Sequence, residues 1–244
     1  MNAAEASTDA AKAPTVTVDL PAGTSKAKIE IPVKDVNNST VAVLVKADGT
    51  EEVITKTMVT ENGIVAEVQD GETIKIVDNH KDFNDVANHW AKDDIDFITA
   101  RNIFNGVGGG NFDANGDMTR GMLMTVLARY DGTDASGAQW KEKGAAWAKE
   151  KGVSDGTALD EKVTREQLVT MLWRYAGSPE TTDAKTADFN DAAKVKDFAK
   201  AAMDWAVESG LIKGSDNNID PDGNAQRGQL AAIMHRFMVL MGTK

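Results

Sequence analysis

Two hydrophobic periods divide the chain. From Thr15 to about Val77, β-branched and polar residues alternate in short runs at Thr15–Leu20, Lys28–Val33, Val41–Lys46, Val53–Val59, Ile64–Val68 and Thr73–Val77. Alternation of period two predicts strands with one buried face. Asp48-Gly49, Asn62-Gly63 and Asp70-Gly71 separate the later runs, and such pairs tolerate the positive φ of tight hairpin turns. Pro32 has no amide donor, which suits an edge strand or a bulge. The expected product is a small antiparallel module of about six strands, a β-sandwich. Near Asp78–Asp82 the period becomes helical, and the domain boundary is expected there.

The helical part is a phrase written three times. Arg120, Arg165 and Arg227 are followed at +3 by Leu123, Leu168 and Leu230. At +6 come Val126, Met171 and Ile233, and at +7 Leu127, Leu172 and Met234. A second arginine stands at +9 (Arg129, Arg174, Arg236) and an aromatic at +10 (Tyr130, Tyr175, Phe237). Positions +3, +6, +7 and +10 share one helical face, so each copy is a core helix in a repeat array. An upstream helix in each copy is marked by Trp90, Trp140 and Phe198, with Phe97, Trp147 and Trp205 seven residues on. A seven-residue step returns to the same face, so both aromatics are expected to point inward. Asn102, Gly152 and Gly210 supply helix stops, and Gly106, Gly156 and Gly214 follow four residues later. The partition is a linker stub at 1–13, the β module at 14–79, and repeats at 80–134, 135–180 and 181–244. The fold class is α+β in separate domains.

Composition narrows the function. The 244 residues are 41% hydrophobic, enough for one or two cores, and the net charge is −11. That charge argues against nucleic acid or an anionic membrane surface as partner. No apolar run approaches the roughly 18 residues of a membrane-spanning helix, and no secretory h-region follows Met1. The Ala-rich opening reads as a stub, so a longer parent with upstream domains is expected. With no cysteine, disulfides, thiolate metal sites and cysteine nucleophiles are excluded.

Phe83-Asn84-Asp85-Val86 ahead of Trp90, the glycine-bearing loop, and Thr119-Arg120 resemble the S-layer homology domain, with its Phe-x-Asp-Val start and Thr-Arg-Ala-Glu-like helix start. Thr164-Arg165-Glu166-Gln167 and Gln226-Arg227-Gly228-Gln229 are variants of that tetrapeptide, and Phe189-Asn190-Asp191 restarts the third copy. The resemblance covers roughly residues 81–241. The β module is similar to one found ahead of such triplets in some Firmicute surface proteins. The resemblance implies three repeats about a pseudo-threefold axis with a central helix bundle. It implies grooves between repeats that bind secondary cell-wall polysaccharide, often through a pyruvylated sugar, on the outside of a Gram-positive cell. It implies no catalysis. The family's terminal glutamate is replaced by Met122, Gln167 and Gln229, repeat two lacks the Phe-x-Asp-Val start, and Gln226 stands for threonine. The number of working grooves and the sugar are therefore left open.

The residues carry chemistry of their own. Thr119 and Thr164 are natural N-caps. The arginine that follows stands at a first helical turn, where free N–H groups and the macrodipole favour an anion, and its fork grips a carboxylate bidentately. Gly106, Gly156 and Gly214 allow backbone to approach a sugar closely, and Trp90 or Trp140 can stack on a pyranose face. Asp85 and Asp191 either cap the following helix or touch ligand. The candidate ligand-binding set is therefore these residues with Gln167, Gln226 and Gln229. Arg129, Arg174 and Arg236 read as structural, and Phe97, Trp147 and Trp205 as core. Asn111-x-Asp113-x-Asn115-Gly116 imitates the opening of a calcium loop, but Met122 stands where its closing glutamate belongs. No metal, cofactor or catalytic residue is assigned. A surface adhesin gripping a host protein or glycan is the alternative to wall anchoring.

Overall fold

A computed structural model describes residues 15–242, so the expected stub at 1–13 lies outside the described residues. The strands are β1 Thr15–Thr17, β2 Lys26–Pro32, β3 Thr40–Val45, β4 Glu51–Val53, β5 Met58–Val59, β6 Gly63–Gln69 and β7 Thr73–Asp78. They form two antiparallel sheets ordered β1-β7-β3-β4 and β2-β6-β5. Val18, Ala42, Ile74 and Ile76 from one sheet region cluster with Ile64, Ala66 and Val68 from the other. Alternation along β6 and β7 thus supplies a shared core.

Two expectations are corrected here. The run Val53–Val59 is two strands, β4 and β5, in different sheets. The chain leaves one ladder after Ile54, whose N–H reaches the Ala42 carbonyl, and joins the other at Met58. Asp70-Gly71 is no hairpin turn, because the strands it joins, β6 and β7, belong to different sheets. Gly71 donates its N–H to Val18, and the Asp70 carboxylate accepts that of Leu20, so the turn is tied to the N-terminal strand region. Pro32 ends β2, an edge strand.

The α-helices are α1 Lys92–Ala100, α2 Arg120–Tyr130, α3 Trp140–Glu150, α4 Arg165–Tyr175, α5 Lys200–Glu208 and α6 Arg227–Gly242. The strand-to-helix change falls at Asp78. The division into compact units falls later: one runs to Phe112 and takes in Met241 onward, the other is Asp113–Leu240.

In the first unit, Arg101 at the end of α1 is fully buried. It donates to the carbonyls of Thr57, Asn38 and Phe97, each at 2.8 Å, and of Thr40 at 3.3 Å. Its guanidinium carbon lies 3.5 Å from the centre of the Phe97 ring. The β module and α1 are thereby fastened to each other within one unit.

In the second unit, α2, α4 and α6 each begin in the embrace of another copy's loop. Arg120 and Gly121 donate their N–H groups to the carbonyls of Glu161 and Leu159. Arg165 and Glu166 donate to Gly223 and Pro221, and Arg227 and Gly228 to Gly116 and Ala114. The residues just ahead close a ring: Met118 N–H to Ala225, Ala225 N–H to Val163, and Val163 N–H to Met118, at 2.8–3.0 Å. Further along the same helices, Tyr130, Tyr175 and Phe237 form a triangle of rings with centroids 5.8, 5.9 and 6.0 Å apart. The +3 leucines Leu123, Leu168 and Leu230 are wholly buried.

Phe97, Trp147 and Trp205 are buried, whereas Trp90 is 63% and Phe198 50% exposed. The inward expectation for Trp90 and Phe198 fails because both precede the first residue of their α-helix, so the helical step does not govern them.

Candidate functional site

Within the second unit a hollow of about 210 Å³ is lined by Arg120, Ser154, Asp155, Gln167, Thr170, Met171, Arg174 and Phe198. Three copies contribute: the start of α2, the glycine-bearing loop and α4 of the second copy, and Phe198, two residues ahead of α5. Arg120 donates through Nε to the Thr157 carbonyl (3.2 Å) and through Nη2 to Ser154 Oγ (3.0 Å) and Asp155 Oδ1 (2.8 Å). Arg174 donates to the Val153 carbonyl at 3.3 Å. Read from sequence as structural, it also faces this hollow.

Arg165 is half-buried and donates through Nε to the Ile219 carbonyl at 2.9 Å. Burial depresses its pKa, opposed by the carboxylates of Asp220 and Asp191. Arg227 is only 3% exposed. The three arginines, alike in sequence, therefore stand in three different settings.

The helix starts are not anion cradles. In α2 and α4 the first two N–H groups go to loop carbonyls, and the third to the cap: Met122 to Thr119 Oγ1 and Gln167 to Thr164 Oγ1, each at 3.3 Å. No free donor remains among those three, so any anion must be held by side chains. Gln167 closes a capping box, its Oε1 accepting the Thr164 N–H at 3.1 Å. The Gln229 Oε1 accepts the Gln226 N–H at 3.2 Å. Glutamine supplies the same acceptor as the glutamate it replaces. Met122 has none.

Asp85 and Asp191 brace loops. Asp85 accepts the Phe112 N–H at 2.9 Å, and Asp191 accepts those of Ile219 and Asp220 at 2.9 and 2.8 Å. Neither caps a helix through its side chain. The loop glycines serve packing: a Cβ on Gly106 would lie 2.7 Å from the Phe83 ring, one on Gly214 2.6 Å from the Phe189 ring, and one on Gly156 2.9 Å from the Ala145 carbonyl. Trp140 is half-buried, with Lys141 Nζ 5.3 Å from its ring centre, and does not line the hollow. Of the sequence-derived candidates, the hollow gathers Arg120 and Gln167 beside the Gly156 loop. Trp90, Asp85 and Gly106 belong to the first unit, and Asp191 and Arg165 meet around Ile219.

Ser154, Asp155, Thr170, Met171 and Phe198 were not anticipated. Phe198 had a signal, its alignment with Trp90 and Trp140; the others had none. Among the described residues no cluster of His, Asp and Glu is arranged to hold a metal, and no helix is long and apolar enough to cross a membrane.

The capped helices α2 and α4 are locked start to loop and border an arginine-lined hollow. The helical part of the chain carries S-layer homology domains, whose family model matches residues 82–121 and 188–231. The copy around Arg165 lies between the two matches. An amylopullulanase from Thermoanaerobacterium thermosulfurigenes is 27% identical over 184 residues, covering 66% of this chain and 10% of that protein. Exoglucanase XynX of Acetivibrio thermocellus is 25% identical, covering 64% and 16%. The surface-layer 125 kDa protein of Lysinibacillus sphaericus is 26% identical, covering 64% and 14%. The matched region thus spans a small part of each relative. S-layer homology domains are non-catalytic modules that anchor surface proteins to the cell wall.

Proposed function

We propose that the helical copies bind an acidic, pyruvylated secondary cell-wall polysaccharide in grooves between neighbouring repeats, outside the cell, on behalf of a longer parent protein. In this reading the two sheets are a β-sandwich spacer and the three copies stand about a pseudo-threefold axis. The ring of bonds through Met118, Val163 and Ala225 and the Tyr130–Tyr175–Phe237 triangle support the threefold arrangement.

The observation that carries the ligand assignment is the hollow at Arg120, where two guanidinium groups and an exposed aromatic ring share one recess. Arg120 and Arg174 suit a carboxylate, Phe198 offers an apolar face for a sugar ring, and Ser154 and Thr170 present hydroxyls. Arg165, half-buried beside Asp191 and Asp220, marks a weaker groove. Buried Arg227 serves structure more than binding.

The test is co-sedimentation of the full chain with de-proteinated Gram-positive cell walls. Arg120→Ala is expected to weaken binding about 10- to 100-fold, the worth of charge-assisted hydrogen bonds, and Arg165→Ala less. Retained affinity in both variants rejects the arginine mechanism.

A further inference from the structure

The residue ahead of the loop glycine is Asn105, Asp155 and Lys213 in the three copies, so only the second carries a carboxylate there. That carboxylate sits 2.8 Å from the guanidinium that lines the hollow. We propose that Asp155 is a built-in occupant of Arg120, holding the place of a ligand carboxylate and yielding it when an acidic sugar enters. This rests on the reading of the hollow as an acidic-sugar site.

The two partners are held unequally. The Arg120 side chain is 15% exposed and keeps two further contacts, to the Thr157 carbonyl and Ser154 Oγ, so it stays in place without Asp155. The Asp155 side chain is 65% exposed and can turn out into water. Its carboxyl is held below the usual range, first by the Thr157 backbone N–H and then by the Thr157 side chain, so it competes as an anion at neutral pH. An ion pair with one partner this exposed is weak. A sugar acid that adds hydroxyl contacts and ring stacking displaces it, and then meets Arg174 in the same recess. A neutral sugar gains no such exchange. The latch therefore favours carboxylate-bearing ligands and caps their affinity.

Asp155→Asn separates charge from structure, since its Oδ1 still accepts the Thr157 N–H that now reaches it at 3.1 Å. Asp155→Ser, which keeps a side-chain oxygen without the charge, is the second variant. Each is titrated as the full chain with polysaccharide released from Gram-positive walls, before and after mild-acid removal of pyruvyl groups. The same measurement in the Arg120→Ala background isolates the Arg120-dependent share. The expected result is two- to fivefold tighter binding of the pyruvylated polymer, the span of an exposed ion pair, absent after depyruvylation and absent with Arg120→Ala. Equal or weaker binding by both Asp155 variants, while Arg120→Ala still weakens binding, overturns the latch and leaves the groove standing. Full binding by Arg120→Ala rejects this hollow as the acidic-sugar site, and the latch with it.

Discussion

Arg101 Nε donates to the carbonyl of Thr57 at 2.8 Å across 44 residues of chain, joining the segment between β4 and β5 to the end of α1. Every hydrogen bond described for this guanidinium ends on a backbone carbonyl. Burial pushes its pKa down to about 9, so it is still charged at neutral pH. Thr57 lies where the chain passes from one sheet to the other, between β4 and β5, and Thr40 opens β3.

Arg101→Met keeps much of the volume and strands those carbonyls in a dry interior. A cost of about 2–3 kcal/mol is expected, set by unsatisfied buried acceptors. Arg101→Lys recovers little of it, since one ammonium cannot serve a planar fork of carbonyls. Urea denaturation of the full chain measures both. Stability unchanged in Arg101→Met contradicts the fastening role.

The capping geometry makes a graded prediction. Thr164 sits in a complete box with Gln167, whereas Thr119 has only the half in which its hydroxyl accepts the Met122 N–H. Thr164→Ala is expected to cost about 1–2 kcal/mol and Thr119→Ala about 0.5–1. Met122→Gln restores the missing acceptor on a partly exposed side chain and adds about 0.5 kcal/mol. Thermal melting ranks the three. A destabilised Met122→Gln argues that this position packs rather than caps.

The core of the helical part was legible because it is periodic. The +3 leucines are buried and the +10 aromatics meet, as a shared helical face requires. The caps were legible as well, since Thr before an apolar-periodic run has a local cause. The exchange of loop carbonyls between copies was not, because Arg227 finds Gly116 more than a hundred residues away. It also removes the free N–H groups that a helix considered alone offers to an anion. Arg101 and Asp155 escaped for another reason: neither recurs in the repeat, so nothing singled them out from a charged surface. Trp90 and Phe198 misled because a helical step was extended past the helix start.

Gly106 is the cleaner of two matched glycines, since its φ is not positive and only space is at issue. A Cβ there would stand 2.6 Å from the Asn111 carbonyl oxygen and 2.7 Å from the Phe83 ring. The backbone oxygen has little freedom to retreat, because it already accepts the Val107 N–H at 2.9 Å. Gly106→Ala is expected to cost about 1–3 kcal/mol, typical of overpacking. Gly214→Ala adds backbone strain at φ 73° to a similar clash with Phe189, so its cost is larger. Equilibrium unfolding of the two variants gives the order; the reverse order rejects the steric account.

Asp131 ties the end of α2 to two other helices. Its carboxylate accepts Trp147 Nε1–H at 2.9 Å and Tyr175 Oη–H at 2.8 Å, and Lys151 Nζ lies 3.2 Å away. Burial alone works to raise its pKa, but the bonds from Trp147, Tyr175 and Lys151 outweigh that and lower it. The folded pKa then lies below the unfolded value of about 3.9. In that window the unfolded chain binds more protons, so stability rises with pH there. The contribution of Asp131 is complete above about pH 4 and is lost as the pH falls through the folded value. Asp131→Asn is expected to be less stable than the parent at pH 7 and to flatten the fall in stability below pH 4. Denaturation curves of both proteins from pH 7 to pH 2 test this, and parallel curves across that range show that Asp131 is not the titrating tie.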